Sequence, residues 1–168
     1  MKRFTYLFFT FLAFGIFSIS CNCTKKSTAK SDATMQNEKQ KSSKETSFKV
    51  LLDNDHSNIK EKKYLVIKDA DALKAIYAKI NMTRRPGLPI PNINFNKEMV
   101  IGICLGEKSN AGYKISIEKI EDVNGETIVL YRENQPKGMA ATVITQPCLL
   151  VATTKSDLPV KFVNALEK

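Results

Sequence analysis

EMVIGICLGEKSNAGYKISI, residues 98–117, is the stretch on which the folding of this chain turns. From Met99 to Leu105 every position is apolar, counting Gly102 and Cys104, so neither face of an alternating strand is polar. A short apolar run bounded by turn residues predicts a strand covered on both sides. Gly106 to Gly112 reads as a turn-forming loop. After it, Tyr113, Ile115 and Ile117 alternate with Lys114, Ser116 and Glu118, a strand with one face buried and one wet. Ile120 breaks that alternation and predicts a bulge or a change of twist. Asn124-Gly125 supplies the two positive φ values of a tight hairpin turn. Glu126 to Tyr131 leads back out, with Ile128 and Leu130 facing one way and Val129 and Tyr131 the other.

Outward from this centre, Phe48 to Lys168 is about 121 residues, the size of one domain with a single real core. Phe48 to Leu52 predicts a first strand, Asp53 to Asn58 a polar turn, and Lys63 to Ile67 a second strand. Asp69 or Asp71 then caps a helix. Leu73, Ile76, Tyr77 and Ile80 fall at i, i+3, i+4 and i+7, one apolar stripe that Asn81 closes. Arg84-Arg85-Pro86-Gly87-Leu88-Pro89-Ile90-Pro91 cannot continue that helix and forms an extended crossing. Beyond the hairpin, Glu133 to Gln146 is a long excursion with a short strand at Ala141 to Thr145. Cys148 to Thr154 and Val160 to Val163 complete a set of seven or so strands. The fold class is α+β, mostly antiparallel β, a sandwich or partly open barrel-like sheet with one packed amphipathic helix.

The start of the chain carries an export address. Lys2 and Arg3 precede an apolar run, Tyr6 to Ile19, too short for a comfortable membrane span. Ser18-Ile19-Ser20-Cys21 resembles the lipobox of bacterial lipoproteins, with Ser18 where leucine is common. The resemblance implies a signal peptide at 1–20, cleavage before Cys21, and a lipid anchor on its sulfur. Cys23 fits less well, because Asn22 would occupy the small-residue site. Asn22 to Ser47 has Met35 as its only large apolar residue and reads as a disordered tether. Fully extended it reaches roughly 90 Å, and as a coil it spans about 30 Å. The domain, 48–168, is thereby expected in the bacterial envelope, leashed to a membrane and close to its neighbours there.

Charge and chemistry exclude several roles. The net charge is +9, yet from Phe48 onward 18 basic residues face 14 acidic ones with signs interspersed. That is an ordinary solvated surface, not a nucleic-acid footprint. His56 is the only histidine and sits in a polar turn, so neither a catalytic triad nor a histidine metal site is expected. No Gly-rich phosphate loop is present. Cys104 and Cys148 read as small buried hydrophobes in apolar strands. An oxidising envelope leaves their pairing open. The expectation is a non-catalytic protein with no cofactor and no metal.

The series of Gly106, loop, Gly112-Tyr113, Ile115, Ile117, hairpin, Pro136, and Thr145-x-Pro147 before an apolar strand resembles the C-terminal domain of the protease complex subunit PrcB family. The likeness runs from about Tyr64 to Val163. Here the loop keeps the final Gly-Tyr but has Asn110-Ala111 where the family has Thr-Gly, Cys148 stands at an aromatic place, and Tyr77 replaces a common helix Trp. The resemblance implies an exported, often lipid-anchored accessory component, not itself a protease. Glu107, Lys108, Ser109, Asn110, Ala111, Gly112 and Tyr113 are the candidate partner-binding residues, with the Arg84 to Pro91 crossing second. Val160 to Val163 is a possible edge for strand addition that Lys161 discourages. The partner expected is an envelope or surface protein, a protease among the candidates. Two alternatives stand beside this reading: a chagasin-like inhibitor, for which Arg85-Pro86 and Gly112-Tyr113 are partial matches, and an unrelated ligand-binding lipoprotein.

The lipobox yields a direct test. Cells fed a palmitate analogue should label the wild-type protein, and Cys21→Ala should abolish both label and membrane fractionation. A labelled, membrane-bound Cys21→Ala protein would refute the anchor.

Overall fold

Two-sided burial of the apolar strand at 98–105 shapes the molecule. The computed structural model describes residues 43–167; the readings made on residues 1–42, Cys21 among them, lie outside these. In chain order the elements are β1 Lys44–Glu45, β2 Phe48–Asn54, β3 Lys62–Ile67, α1 Ala70–Ile80, β4 Glu98–Leu105, β5 Lys108–Asn110, β6 Lys114–Val123, β7 Glu126–Asn134, β8 Thr142–Thr145, β9 Cys148–Thr154 and β10 Val160–Asn164, followed by a 3-10 turn at Ala165–Glu167. They form two four-stranded sheets, β2-β9-β4-β3 and β1-β6-β7-β10, and a two-stranded sheet, β5-β8. Pairing is antiparallel except for β10, which runs parallel to β7. The fold is α+β, mostly β, with open sheets and no closed barrel.

From β4, Val100 and Cys104 enter one core together with Leu65, Ile67, Leu150 and the α1 stripe Leu73, Ile76, Tyr77 and Ile80. Met99, Ile101, Ile103 and Leu105 enter a second core with Ile115, Ile120, Val129 and Tyr131 of the other sheet. The β2-β9-β4-β3 sheet is therefore the middle layer, between the helix and the β1-β6-β7-β10 sheet. Gly102 keeps the helix side closely packed: a Cβ there would lie 2.6 Å from Leu150 Cδ2 and 3.1 Å from Leu65 Cβ. Asp69 is the N-cap, its carboxylate accepting from Ala72 N at 2.7 Å, a contact of about 1 kcal/mol. Burial pushes the Tyr77 phenol above its ordinary value. The Leu88, Ile93 and Phe95 side chains of the crossing pack beside the helix on the same core.

The hairpin turn has φ of 53° at Asn124 and 80° at Gly125, and the β6–β7 register slips between Ile117 and Lys119, where Ile120 pointed to a bulge. Two expectations need correction, and a pairing left open is decided. Ordered structure begins before Phe48, because Lys44 and Glu45 pair with Asp122 and Glu121 and Thr46 N donates to Ile120 O at 2.8 Å. These bonds are backbone only, so the polar side chains gave no sign of them. Among the described residues there are ten strands, the additional ones being short. Cys104 and Cys148 are joined in a disulfide, which their register as directly opposed partners on β4 and β9 permits.

On the β3–β10 side the two large sheets are joined by side chains. The Tyr64 ring stacks on Phe162 with centroids 4.7 Å apart, and the Tyr64 and Tyr131 hydroxyls lie 2.6 Å from each other. Lys62 forms an ion pair with Glu133 beside them. Partial burial works against the Lys62 charge, but Glu133 and Tyr64 outweigh it and hold the ammonium above its ordinary value.

Replacing both Cys104 and Cys148 by alanine should lower the unfolding free energy by about 2–4 kcal/mol, since the bridge closes a long loop. Denaturant unfolding under matched conditions measures it, and coincident transitions would contradict a structural role for the bridge.

Candidate functional site

Gly106 begins the segment that carries the candidate residues. Its φ is +74°, and a Cβ would come within 2.8 Å of Lys62 N and 2.9 Å of Lys60 O, so the chain passes directly over the 60–62 backbone. Glu107 N donates to Lys60 O at 2.9 Å and locks that crossing. The expected turn-forming loop is then a strand, β5, paired with β8. Turn-forming residues are held extended here by a partner strand far along the chain. The register is Lys108 opposite Thr145 and Asn110 opposite Thr142, with an irregularity between. Ala111 N donates to Ala141 O at 3.0 Å, and Thr145 Oγ1 donates to Asn110 O at 3.0 Å.

Gly112 leaves the arm at φ +91°, where a Cβ would sit 3.1 Å from Pro136 Cβ. Tyr113 then packs against the core between the sheets, with the Lys108 ammonium 5.2 Å from its ring centroid. The base of the arm is tied to the 55–57 turn. Gln146 N donates to Asp55 O at 2.7 Å, Ser57 N and Oγ donate to Gln146 O at 3.1 and 2.8 Å, and Lys114 reaches Asp55 at 3.1 Å. Segments 55–57, 106–113 and 136–147 thus meet at one end of the sandwich.

Of the seven predicted residues, Glu107, Ser109 and Gly112 are exposed and Lys108, Asn110, Ala111 and Tyr113 half-buried. The structure brings them together on one short arm. The residues that carried the resemblance serve mainly as its frame. Gly106 and Gly112 supply backbone shape, Pro136 lies against Gly112, Thr145 is buried and bonded, and Pro147 O accepts from Leu105 N at 2.9 Å.

The second candidate, Arg84 to Pro91, reaches the same end by a chain of contacts. Arg84 Nη2 donates to Asn54 Oδ1 at 2.6 Å and to His56 O at 3.0 Å, and His56 bridges to Gln146. The Asn81 amide brackets Leu88, accepting from its N at 2.7 Å and donating to its O at 2.9 Å. The crossing is therefore pinned by its own polar groups. Asp55-His56-Ser57 does not assemble a nucleophile, since the Ser57 hydroxyl is fully buried and donates to a backbone carbonyl. Among the described residues, no three of His, Cys, Asp and Glu gather as metal ligands. A polar cleft of about 200 Å³ between Lys44–Ser47 and Ser156 has Thr127 bonded to Asp122 at 2.6 Å. It is smaller than the roughly 300–1,000 Å³ of ordinary ligand pockets.

Sequence reading missed a further part of the arm. Val143 and Ile144 of β8 are 45% and 57% exposed, and Met139 before them is fully exposed. Their uncharged, β-branched run was the available signal.

The arm is thus framed by glycine, proline and backbone bonds. Residues 99–154, from β4 through the arm and hairpin to the end of β9, match the family model described as PrcB C-terminal. The match bears out the resemblance over these residues, a narrower stretch than the one from Tyr64 to Val163 read from the sequence. No curated protein and no solved structure matches the chain.

Gly112→Val should destabilise the domain by more than the ~1 kcal/mol of a typical substitution, because a β-branched residue is strained at positive φ. Thermal unfolding reads this, and an unchanged melting temperature would count against the frame described for the arm.

Proposed function

We propose that this protein is a membrane-tethered, non-catalytic envelope lipoprotein whose folded domain binds another envelope or surface protein, a protease first among candidates. The arm carries the reading. Its exposed Glu107 and Ser109 are mounted on backbone that is bonded at both ends, to Lys60 and to Ala141. A preordered surface loses little conformational freedom on binding. The family match adds a direction, since it supports association with a protease complex.

Two further features agree with the envelope part. The disulfide is of the kind that persists in oxidising compartments. The Ser18-Ile19-Ser20-Cys21 sequence fits lipid attachment, and a tether restricts the search for a partner to the membrane surface.

The test is crosslinking in intact cells, followed by deletion of the gene. One envelope protein should be recovered with the wild type and should change in abundance on deletion. Glu107→Arg with Ser109→Arg should lower its recovery by about tenfold, a loss of roughly 1.4 kcal/mol, with no change in melting temperature. Recovery of nothing, together with an unaltered envelope, would refute the proposal.

A further inference from the structure

Each outer strand of this fold except one carries charge. The edges of the two large sheets are β1 with Lys44 and Glu45, β10 with Lys161, β2 with Lys49 and Asp53, and β3 with Lys62 and Lys63. In the two-stranded sheet β5 carries Lys108, and β8, Thr142-Val143-Ile144-Thr145, carries none. Charged side chains on an edge keep foreign strands from pairing with it, because pairing would desolvate them. β8 lacks this protection, and the run from Gly138 to Pro147 around it holds no charged residue.

Two other observations bear on the same strand. It pairs with β5 on one side; on the other, among the described residues, no strand lies along Thr142–Thr145, and the 55–57 segment bonds to Gln146 just beyond. Val143 and Ile144 are successive, so they project from opposite faces, and both are exposed. Thr145, by contrast, is buried and bonded back to Asn110, so the strand is held in place rather than loose.

We infer that β8 is a strand-addition site, and that its occupant is an extended, uncharged segment of the partner protein. The partner's backbone would extend the β5-β8 sheet, and apolar side chains on either face would cover Val143 and Ile144. This rests on the binding role proposed above and names the chemistry of the partner. An edge of four residues selects this occupant over a second copy of the chain. Main-chain bonds along so short an edge suit a peptide segment, whereas a stable dimer needs about 800 Å² from each subunit.

The experiment is selection of random octapeptides against the detergent-solubilised full chain, with hydrogen exchange read at the Thr142–Thr145 amides. Enriched peptides should be uncharged, with alternating β-branched or aromatic residues. Their binding should slow exchange at the Ile144 amide, which points away from β5, by about tenfold or more, the protection a 1.4 kcal/mol stabilisation gives. Val143→Lys and Ile144→Lys should each weaken the peptides by at least about tenfold. Both positions are exposed, so melting should be unchanged, and Val143→Thr should retain binding. Alternate backbone N-methylation of a selected peptide should abolish it.

Lack of enrichment, or binders that protect other residues, would overturn the inference. Protection that appears on concentrating the protein alone would make a second copy the occupant and overturn it equally. Either failure leaves the crosslinking result at Glu107 and Ser109 standing, so the two proposals fail separately.

Discussion

β4 has hydrogen-bonded neighbours on both edges and packed side chains on both faces, and the other elements accommodate it. A polar side chain on a strand so placed costs free energy unless it finds a bonding partner, and from Met99 to Leu105 each residue is apolar and buried. Its register with β9 sets Cys104 opposite Cys148 and Gly102 opposite Leu150. Its register with β3 brings Leu65 against the same glycine. The helix stripe and the second sheet then divide its two faces. Each fully buried Leu, Ile or Val at these interfaces contributes about 1.5–3 kcal/mol relative to exposure, so the two cores together depend on one unbroken apolar run.

What could be read from the amino acids follows from how far each signal reaches. β4, the Asn124-Gly125 hairpin and the Asp69-capped helix are local patterns, and all three were legible. The pairing of Cys104 with Cys148 was not, because a buried thiol and a buried disulfide share the same apolar surroundings. Only the register of two strands distant in sequence separates them. β1 is two charged residues paired with β6 through backbone bonds, and β5 is composed of residues that favour turns. Neither has a side-chain pattern of its own, and both are strands because a remote partner makes them so. The candidate loop was therefore read with the wrong backbone.

The arm separates two kinds of residue that a motif mixes. Gly106, Gly112, Pro136, Thr145 and Pro147 hold it in shape through backbone geometry and buried bonds. Glu107, Ser109, Val143 and Ile144 face solvent and give it a surface. The motif thus describes how the arm is built, while the exposed side chains give it any selectivity. That division accounts for a family resemblance that runs through structural positions.

The placement of β2 bears on how the chain reaches this state. It is the first long strand in sequence, yet its sheet neighbour is β9, near the end, with Phe48 opposite Thr153. Contacts so remote carry a large loop-closure cost and belong to slow-folding topologies. Until β9 has been made, Phe48, Val50 and Leu52 have no sheet to join, and the middle layer lacks its central pairing. The middle layer is completed only across a span of sequence that takes in every strand from β3 to β8.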